Sequence, residues 1–201
     1  KINMADKKEK SQVELLKEKL MVKKENGAKT LSKEEIKQAD DFCVDYAKFL
    51  DNGKTEREAI ATATKLAVDA GFIEFNPEAT YKAGDKVYIV NRKKNIMLAV
   101  IGTKGCSEGV RLAIAHVDSP RLDLKPNPLY ESSDLALMKT HYYGGIKKYQ
   151  WVATPLALHG VVARMDGTVV DVNIGEDDND PVFCITDLLP HLAQEQMTKD
   201  R

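Results

Sequence analysis

Residues 110–126 read VRLAIAHVDSPRLDLKP, and the fold turns on this stretch. Val110 to Ile114 is an apolar run, so a buried strand is expected to run out into a loop near His116. His116 and Asp118 stand two apart, and side chains two apart on a strand point to the same face. An imidazole and a carboxylate then look into one space. A neutral imidazole ligates zinc well, and a nearby carboxylate can fix its tautomer and orientation. Strand ends at the edge of a covered sheet are also where ligands tend to bind. From H-x-D alone, an ordinary hydrogen-bonded pair at a strand terminus, or no contact at all, is the better-supported reading.

Upstream, the chain reads as helices. Val13, Leu16 and Leu20 recur at helical spacing amid Lys and Glu, predicting an amphipathic helix over 11–26 with Asn26-Gly27 as its stop. Ser32 and Glu35 form a capping box for a second helix ending at Gly53, with Leu31 and Ile36 placed as a hydrophobic staple. Thr55 and Glu58 repeat that box for a third helix, which Gly71 ends. The period then becomes strand-like. Residues 86–90 and 96–101 predict a β-hairpin around Asn91–Asn95. The second strand is apolar on both faces, which suits a sheet covered on both sides.

Beyond Pro120, Pro126 and Pro128 interrupt the chain and strands dominate, at 135–142, 156–164 and 168–174. Asp166-Gly167 predicts a two-residue hairpin turn, and 187–196 a short helix. A domain boundary is placed near residue 120, separating residues 1–119 from a β-rich 120–201.

The bulk numbers fit a soluble globular protein, with 43% apolar and 30% charged residues over 201 positions. The net charge of −1 with scattered Lys and Arg leaves no footprint for nucleic acid, and no apolar run is long enough to cross a bilayer. Three widely spaced cysteines, Cys43, Cys106 and Cys184, give neither a disulfide framework nor a cysteine zinc site. Cys43 and Cys184 read as small hydrophobes, and a reducing cytoplasm is the expected home. No signal peptide is expected at the start, and Met4 reads as a natural first residue.

A second chemical candidate is THYYGGIKKYQW at 140–151, which gathers His141, Lys147, Lys148 and Tyr149 around two glycines. It fits a recognition loop presented to a ligand or another subunit, and fits better still a glycine turn with aromatics filling a core. The acidic loop at 176–180 lacks the calcium-loop pattern. His159 and His191 read as isolated.

Three segments in order, AHVDSPRLDLKPNP, THYYGGIKKYQWVATPLALHGVV and NDPVFCITDLLPHL, resemble the M18 family of metalloaminopeptidases. The likeness runs from about Ser32 onward, including KTERE at 54–58. It implies an α/β fold, a zinc-exopeptidase-like three-layer catalytic domain, partial here, with an inserted β-rich assembly domain. It implies a two-zinc enzyme, with cobalt or manganese as alternatives, that removes the N-terminal residue of peptides. It also implies a homo-oligomer, a tetrahedral dodecamer. In such enzymes the His of H-x-D binds a metal and the Asp holds its ring, roles that fall on His116 and Asp118. The 140–151 segment, with His141, Lys147, Lys148 and Tyr149, then faces a neighbouring subunit or its active site. Relatives preferring acidic substrates carry a His just before the tryptophan; Gln150 precedes Trp151 here, so a neutral, apolar N-terminal residue is the expected substrate. The other metal ligands and the general-base Glu are expected beyond Arg201, so this chain alone is expected to be inactive. The competing readings are a non-catalytic assembly module and an inactive peptide-binding homologue.

Overall fold

The structure, a computed structural model, describes residues 10–22 and 24–195. The chain divides into two compact units, Lys1–Lys48 and Phe49–Arg201. The first holds helix α1 (Gln12–Leu20), a single turn α2 (Gly27–Thr30) and most of α3 (Lys33–Asp51). A capping box of Ser11 and Glu14 starts α1. The expected 11–26 helix stops early, at Leu20, and Asn26 begins α2 instead of ending α1. Asn26 Oδ1 accepts from Ala28 N at 3.0 Å, because a side-chain amide placed before a turn satisfies one of the helix's orphan donors. The box expected at Ser32 is formed, with Ser32 N and Oγ both donating to Glu35 Oε2 at 2.8 Å.

The second unit is built on helix α4 (Glu56–Asp69), which carries the expected Thr55–Glu58 capping box. At the far end, Phe72 N donates to Ala67 O and Gly71 N to Val68 O, both at 2.9 Å. That pair of bonds defines a Schellman stop, and it needs the left-handed φ of +84° that Gly71 adopts. Lys86 Nζ, from the neighbouring sheet, donates to the Ala70 carbonyl at 2.9 Å, placing a cation at the negative end of the helix dipole.

That sheet runs β1 (Ile73–Glu74), β2 (Lys86–Asn91), β3 (Asn95–Val100), with β1 parallel and β3 antiparallel to β2. The 86–101 hairpin is therefore where the alternation placed it. Ala59, Ile60, Ala67 and Val87 are the buried apolar side chains among the described residues. Small residues at helical spacing let α4 lie close to β2. Neither face of β3 is fully covered: Met97 and Val100, on opposite faces of the strand, are 65% and 60% exposed, so the expectation that β3 is covered on both faces is not met.

The Val110–Ile114 strand is not formed. Residues 110–120 join no ladder, and Leu112 and Ile114 are 78% and 89% exposed. A strand exists only by pairing its N–H and C=O groups, and among the described residues no strand runs beside this one. Two antiparallel ribbons follow. β4 (Arg121–Ser132) pairs with β5 (Leu135–Tyr143), and β6 (Leu158–Ala163) with β7 (Val169–Ile174). β4 runs through both prolines because its register shifts between Leu124 and Leu129, where a missing N–H breaks no ladder bond. The β6–β7 turn is longer than the two residues expected. Arg164 N donates to Thr168 O at 2.8 Å and Gly167 sits at φ +84°, a three-residue loop closed by a left-handed glycine.

Two further expectations fail. Residues 187–195 hold only turns, at 190–192 and 194–195, instead of a helix, with Leu192 N on Leu189 O and Ala193 N on Pro190 O. These three-residue bonds close single turns that do not propagate, and Leu188, Leu189 and Leu192 are each more than half exposed, so little tertiary packing supports a helix here. All three cysteines are exposed, so Cys43 and Cys184 are not core hydrophobes here. The capping box gives a direct test of local stability: Thr55→Ala removes the hydroxyl's bonds to Glu58 N and Oε2 and leaves the Thr55 N–H bond to Oε2, and urea denaturation should show a loss of about 1 kcal/mol.

Candidate metal-ligand site

His116 lies in the unpaired stretch, with its side chain 81% exposed. Its Nδ1 sits 2.6 Å from Asp118 Oδ1 and hydrogen-bonds with the Asp118 carbonyl at 3.2 Å. Both neighbours are acceptors, so the ring proton belongs on Nδ1. The Nε2 lone pair is then directed away from Asp118. That is the tautomer a metal-binding histidine uses when its other nitrogen is held by a carboxylate. The H-x-D spacing therefore does bring the two groups together, though on a loop instead of a strand.

The second carboxylate oxygen of Asp118 accepts a 2.6 Å hydrogen bond from the Tyr143 hydroxyl. This bond, more than the attraction of His116 and Arg121, holds Asp118 below its ordinary value, and the same bond raises Tyr143. Tyr143 reaches Asp118 because of the β4–β5 register. Arg121 and Tyr143 are direct cross-strand partners, and the Arg121 guanidinium lies 4.1 Å over the Tyr143 ring. Pro120 packs on the other side of the turn. A Cβ on Gly144, whose φ is +76°, would meet Pro120 at 3.5 Å.

Arg121 is itself tied down. Its Nε donates to Asp123 Oδ1 at 2.7 Å, and its Nη1 lies 3.8 Å from Glu56 Oε2. Burial works against its charge, but the Asp123 bond and the surrounding carboxylates outweigh that and raise its pKa. Glu56 Oε1 receives Lys94 Nζ at 2.8 Å, and this bond holds the Glu56 carboxyl low. Lys94 is in the β2–β3 turn, so helix, hairpin and ribbon meet in one charge network.

The other expected contact residues fall on two faces. Asp123 pairs with His141, two residues along from the Arg121–Tyr143 pair, so His141 shares the Tyr143 face. Lys148 lies 5.0 Å over the ring of Tyr142, on the alternate face. Lys147 precedes the single 3₁₀ turn Lys148–Gln150, which contains Tyr149.

His159 is not isolated. Its Nδ1 is 2.8 Å from Glu58 Oε1, its Nε2 is 3.0 Å from Glu176 Oε1, and the side chain is only 10% exposed. Glu58 does two jobs: Oε2 accepts from Thr55 N and Oγ1, and Oε1 faces the imidazole. Burial raises its pKa, but the bonds from His159 and Thr55 prevail and hold it low. An imidazole can donate to both carboxylates only as the cation. Sequence reasoning missed this because the partners stand 101 and 17 residues away. The visible sign was the capping-box Glu, whose second oxygen was unassigned.

The residues present therefore supply one imidazole with a directed lone pair and its orienting carboxylate. Among the described residues no cluster of three or more His, Cys, Asp or Glu side chains could hold a metal by itself. A catalytic zinc normally takes about three protein ligands. The donor chemistry fits zinc, and the set present is one member of it.

This mixed α/β chain presents a carboxylate-held histidine on a loop, one donor of the kind metal sites use. Comparison with known proteins makes this specific. The family described as Aminopeptidase I zinc metalloprotease (M18) matches residues 49–201. A probable M18 family aminopeptidase 1 of Clostridium acetobutylicum is 52% identical over 158 residues, covering 77% of this chain and 34% of the relative. The Thermotoga maritima counterpart is 45% identical over 163 residues, covering 81% and 35%. Among solved structures, aminopeptidase I from Borrelia burgdorferi B31 superposes with a TM-score of 0.78 at 43% identity, covering 83% of this chain and 41% of that one. The Thermotoga maritima M18 aminopeptidase superposes at 0.79 with 41% identity, covering 90% and 40%. The yeast mApe1 dodecamer, at 19% identity and a TM-score of 0.63, shares the fold. The chain belongs to the M18 family of aminopeptidases. It spans little more than a third of the length of the curated relatives it matches.

The carboxylates give a pH signature. Glu56 and Glu58 are both held below their ordinary value of 4.5, so their contribution to stability is complete above that value. It is lost as the pH falls through their lowered values, since the unfolded chain then binds protons more readily. Urea midpoints measured from pH 7 down to pH 3 should fall most steeply below 4.5, and Glu56→Gln with Glu58→Gln should flatten that fall.

Proposed function

We propose that this chain is part of a zinc-dependent aminopeptidase in which His116 Nε2 binds metal and Asp118 holds the ring. The observation that carries this is the contact of His116 Nδ1 with Asp118 at 2.6 Å, which leaves Nε2 as the donor. When bound, zinc supplies Lewis-acid activation of a water and of the scissile carbonyl. His116 contributes a neutral ligand, kept in one tautomer by two acceptors at Nδ1. The Tyr143 hydroxyl donates to Asp118 and favours its ionised form, and the other carboxylate oxygen accepts a hydrogen bond from His116 Nδ1–H.

In this reading the complete enzyme holds two zinc ions, with the remaining ligands and the general-base Glu on other parts of the polypeptide. Residues 1–119 belong to a three-layer catalytic domain and 120–201 to an inserted β-rich assembly domain. The exposed Leu112 and Ile114 support further protein packing beside this stretch, because apolar side chains so placed gain about 25 cal/mol per Å² when covered. His141, Lys147, Lys148 and Tyr149 are proposed to face substrate or a neighbouring subunit of a homo-oligomer, a tetrahedral dodecamer. No side-chain charge stands at Gln150 beside Trp151, which supports a neutral, apolar N-terminal residue as substrate. No helix among the described residues is long and apolar enough to cross a membrane, and the proposed setting is the cytoplasm.

Metal analysis of the complete enzyme tests the assignment. His116→Ala should lose at least one metal per chain and nearly all aminopeptidase activity, and Asp118→Asn should weaken metal binding about 10–100-fold. Full metal occupancy and activity in His116→Ala would overturn it.

A further inference from the structure

We infer that Tyr143 is a positioning residue for the metal site: its hydroxyl locks the Asp118 carboxylate in the orientation that aims His116 Nε2 at the metal. This rests on the reading of His116 as a zinc ligand, and it adds a residue to the site from a different element, the end of β5.

The need for such a lock follows from exposure. The His116 side chain is 81% exposed, and it follows an unpaired stretch of chain. Packing does not fix its ring plane. Among the described residues the ring's hydrogen-bonding contacts are both at Nδ1, with the Asp118 carboxylate at 2.6 Å and the Asp118 carbonyl at 3.2 Å. Asp118 lies two residues further along the same loop, so it can orient the ring only if something else orients its carboxylate. A carboxylate rotates freely about its terminal bond, with a broad, roughly two-fold preference. The Tyr143 hydroxyl, 2.6 Å from Oδ2, removes that freedom and leaves Oδ1 on His116.

Tyr143 can serve because it is held better than the groups it holds. Its backbone is the last ladder position of β5, paired with Arg121. Its ring is covered by the Arg121 guanidinium at 4.1 Å. Arg121 is bound to Asp123 at 2.7 Å and approaches Glu56 at 3.8 Å, and Glu56 is bound to Lys94 at 2.8 Å. Rigidity therefore passes from the start of α4 and the β2–β3 turn, through Arg121 and Tyr143, to the loop that carries His116. Histidine ligands are commonly supported by carboxylates that are hydrogen-bonded in turn. Here that outer partner is a phenol, so the loss of one oxygen atom separates positioning from packing.

The test is Tyr143→Phe in the complete enzyme, which keeps the ring under Arg121 and removes only the hydrogen bond. Zinc affinity is read by competition with a chromogenic chelator, beside Asp118→Asn, the double variant and His116→Ala, and thermal melting of each metal-free protein serves as the folding control. Tyr143→Phe should weaken zinc about 10-fold with unchanged melting, and the double variant should be no weaker than Asp118→Asn alone. Cobalt substitution adds a readout that a packing role would not move: the visible ligand-field spectrum should shift in the same direction in Tyr143→Phe and Asp118→Asn. Wild-type zinc affinity and spectrum in Tyr143→Phe, with His116→Ala and Asp118→Asn both impaired, overturn this inference and leave the ligand assignment standing. So does full additivity in the double variant, which would show that Tyr143 acts by a route other than Asp118. Unchanged zinc binding in His116→Ala overturns the ligand assignment itself, and this inference with it.

Discussion

Arg121 is the constraint on which the local arrangement depends. It sits opposite Tyr143 in the β4–β5 ladder, stacks on its ring, and is bound by Asp123 with Glu56 nearby. A guanidinium suits this place because its planar face covers an aromatic ring while its edge donates to carboxylates, which a lysine cannot do at once. With Arg121 seated, Tyr143 has one orientation, Asp118 has one partner for each oxygen, and the His116 ring has one tautomer. The network lies partly in solvent, so its value is geometric more than energetic; exposed ion pairs contribute little stability on their own.

The same segment of α4 anchors two networks. Glu56 reaches Lys94 and Arg121, and Glu58, two residues on, reaches His159. Acidic residues in a first turn are ordinary helix grammar, favoured by the dipole. Here each spare carboxylate oxygen is also used to reach a distant element. Glu58 is the clearer case, with Oε2 given to the capping box and Oε1 to the imidazole. The start of α4 thus holds both ribbons of the second unit, β4 through Arg121 and β6 through His159.

What could be read in the sequence was what is local. Capping boxes at Ser32 and Thr55, the Gly71 stop and the 86–101 hairpin follow from residues within a few positions of one another, and all four are present. H-x-D foretold the His116–Asp118 contact for the same reason. The strand expected at Val110–Ile114 depends on neighbours that apolar character cannot supply, and it does not form among the described residues. The helix expected at 187–196 is likewise absent over the described 187–195, where its leucines are more than half exposed; Gln196 lies outside the described residues. Tyr143 and His159 escaped notice because their partners are 25 and 101 residues away. By composition, the aromatics beside Gly144 read better for core than for chemistry, and the β4–β5 register is what ties Tyr143 to Asp118.

The most direct test of the account is a crystal structure of the complete, zinc-loaded enzyme with anomalous data collected at the zinc edge. The account predicts a zinc peak at bonding distance, about 2.0–2.1 Å, from His116 Nε2, with Asp118 still on Nδ1 and Tyr143 still on Asp118. A zinc peak away from His116, or one bonded through Nδ1 with Asp118 displaced, would contradict it.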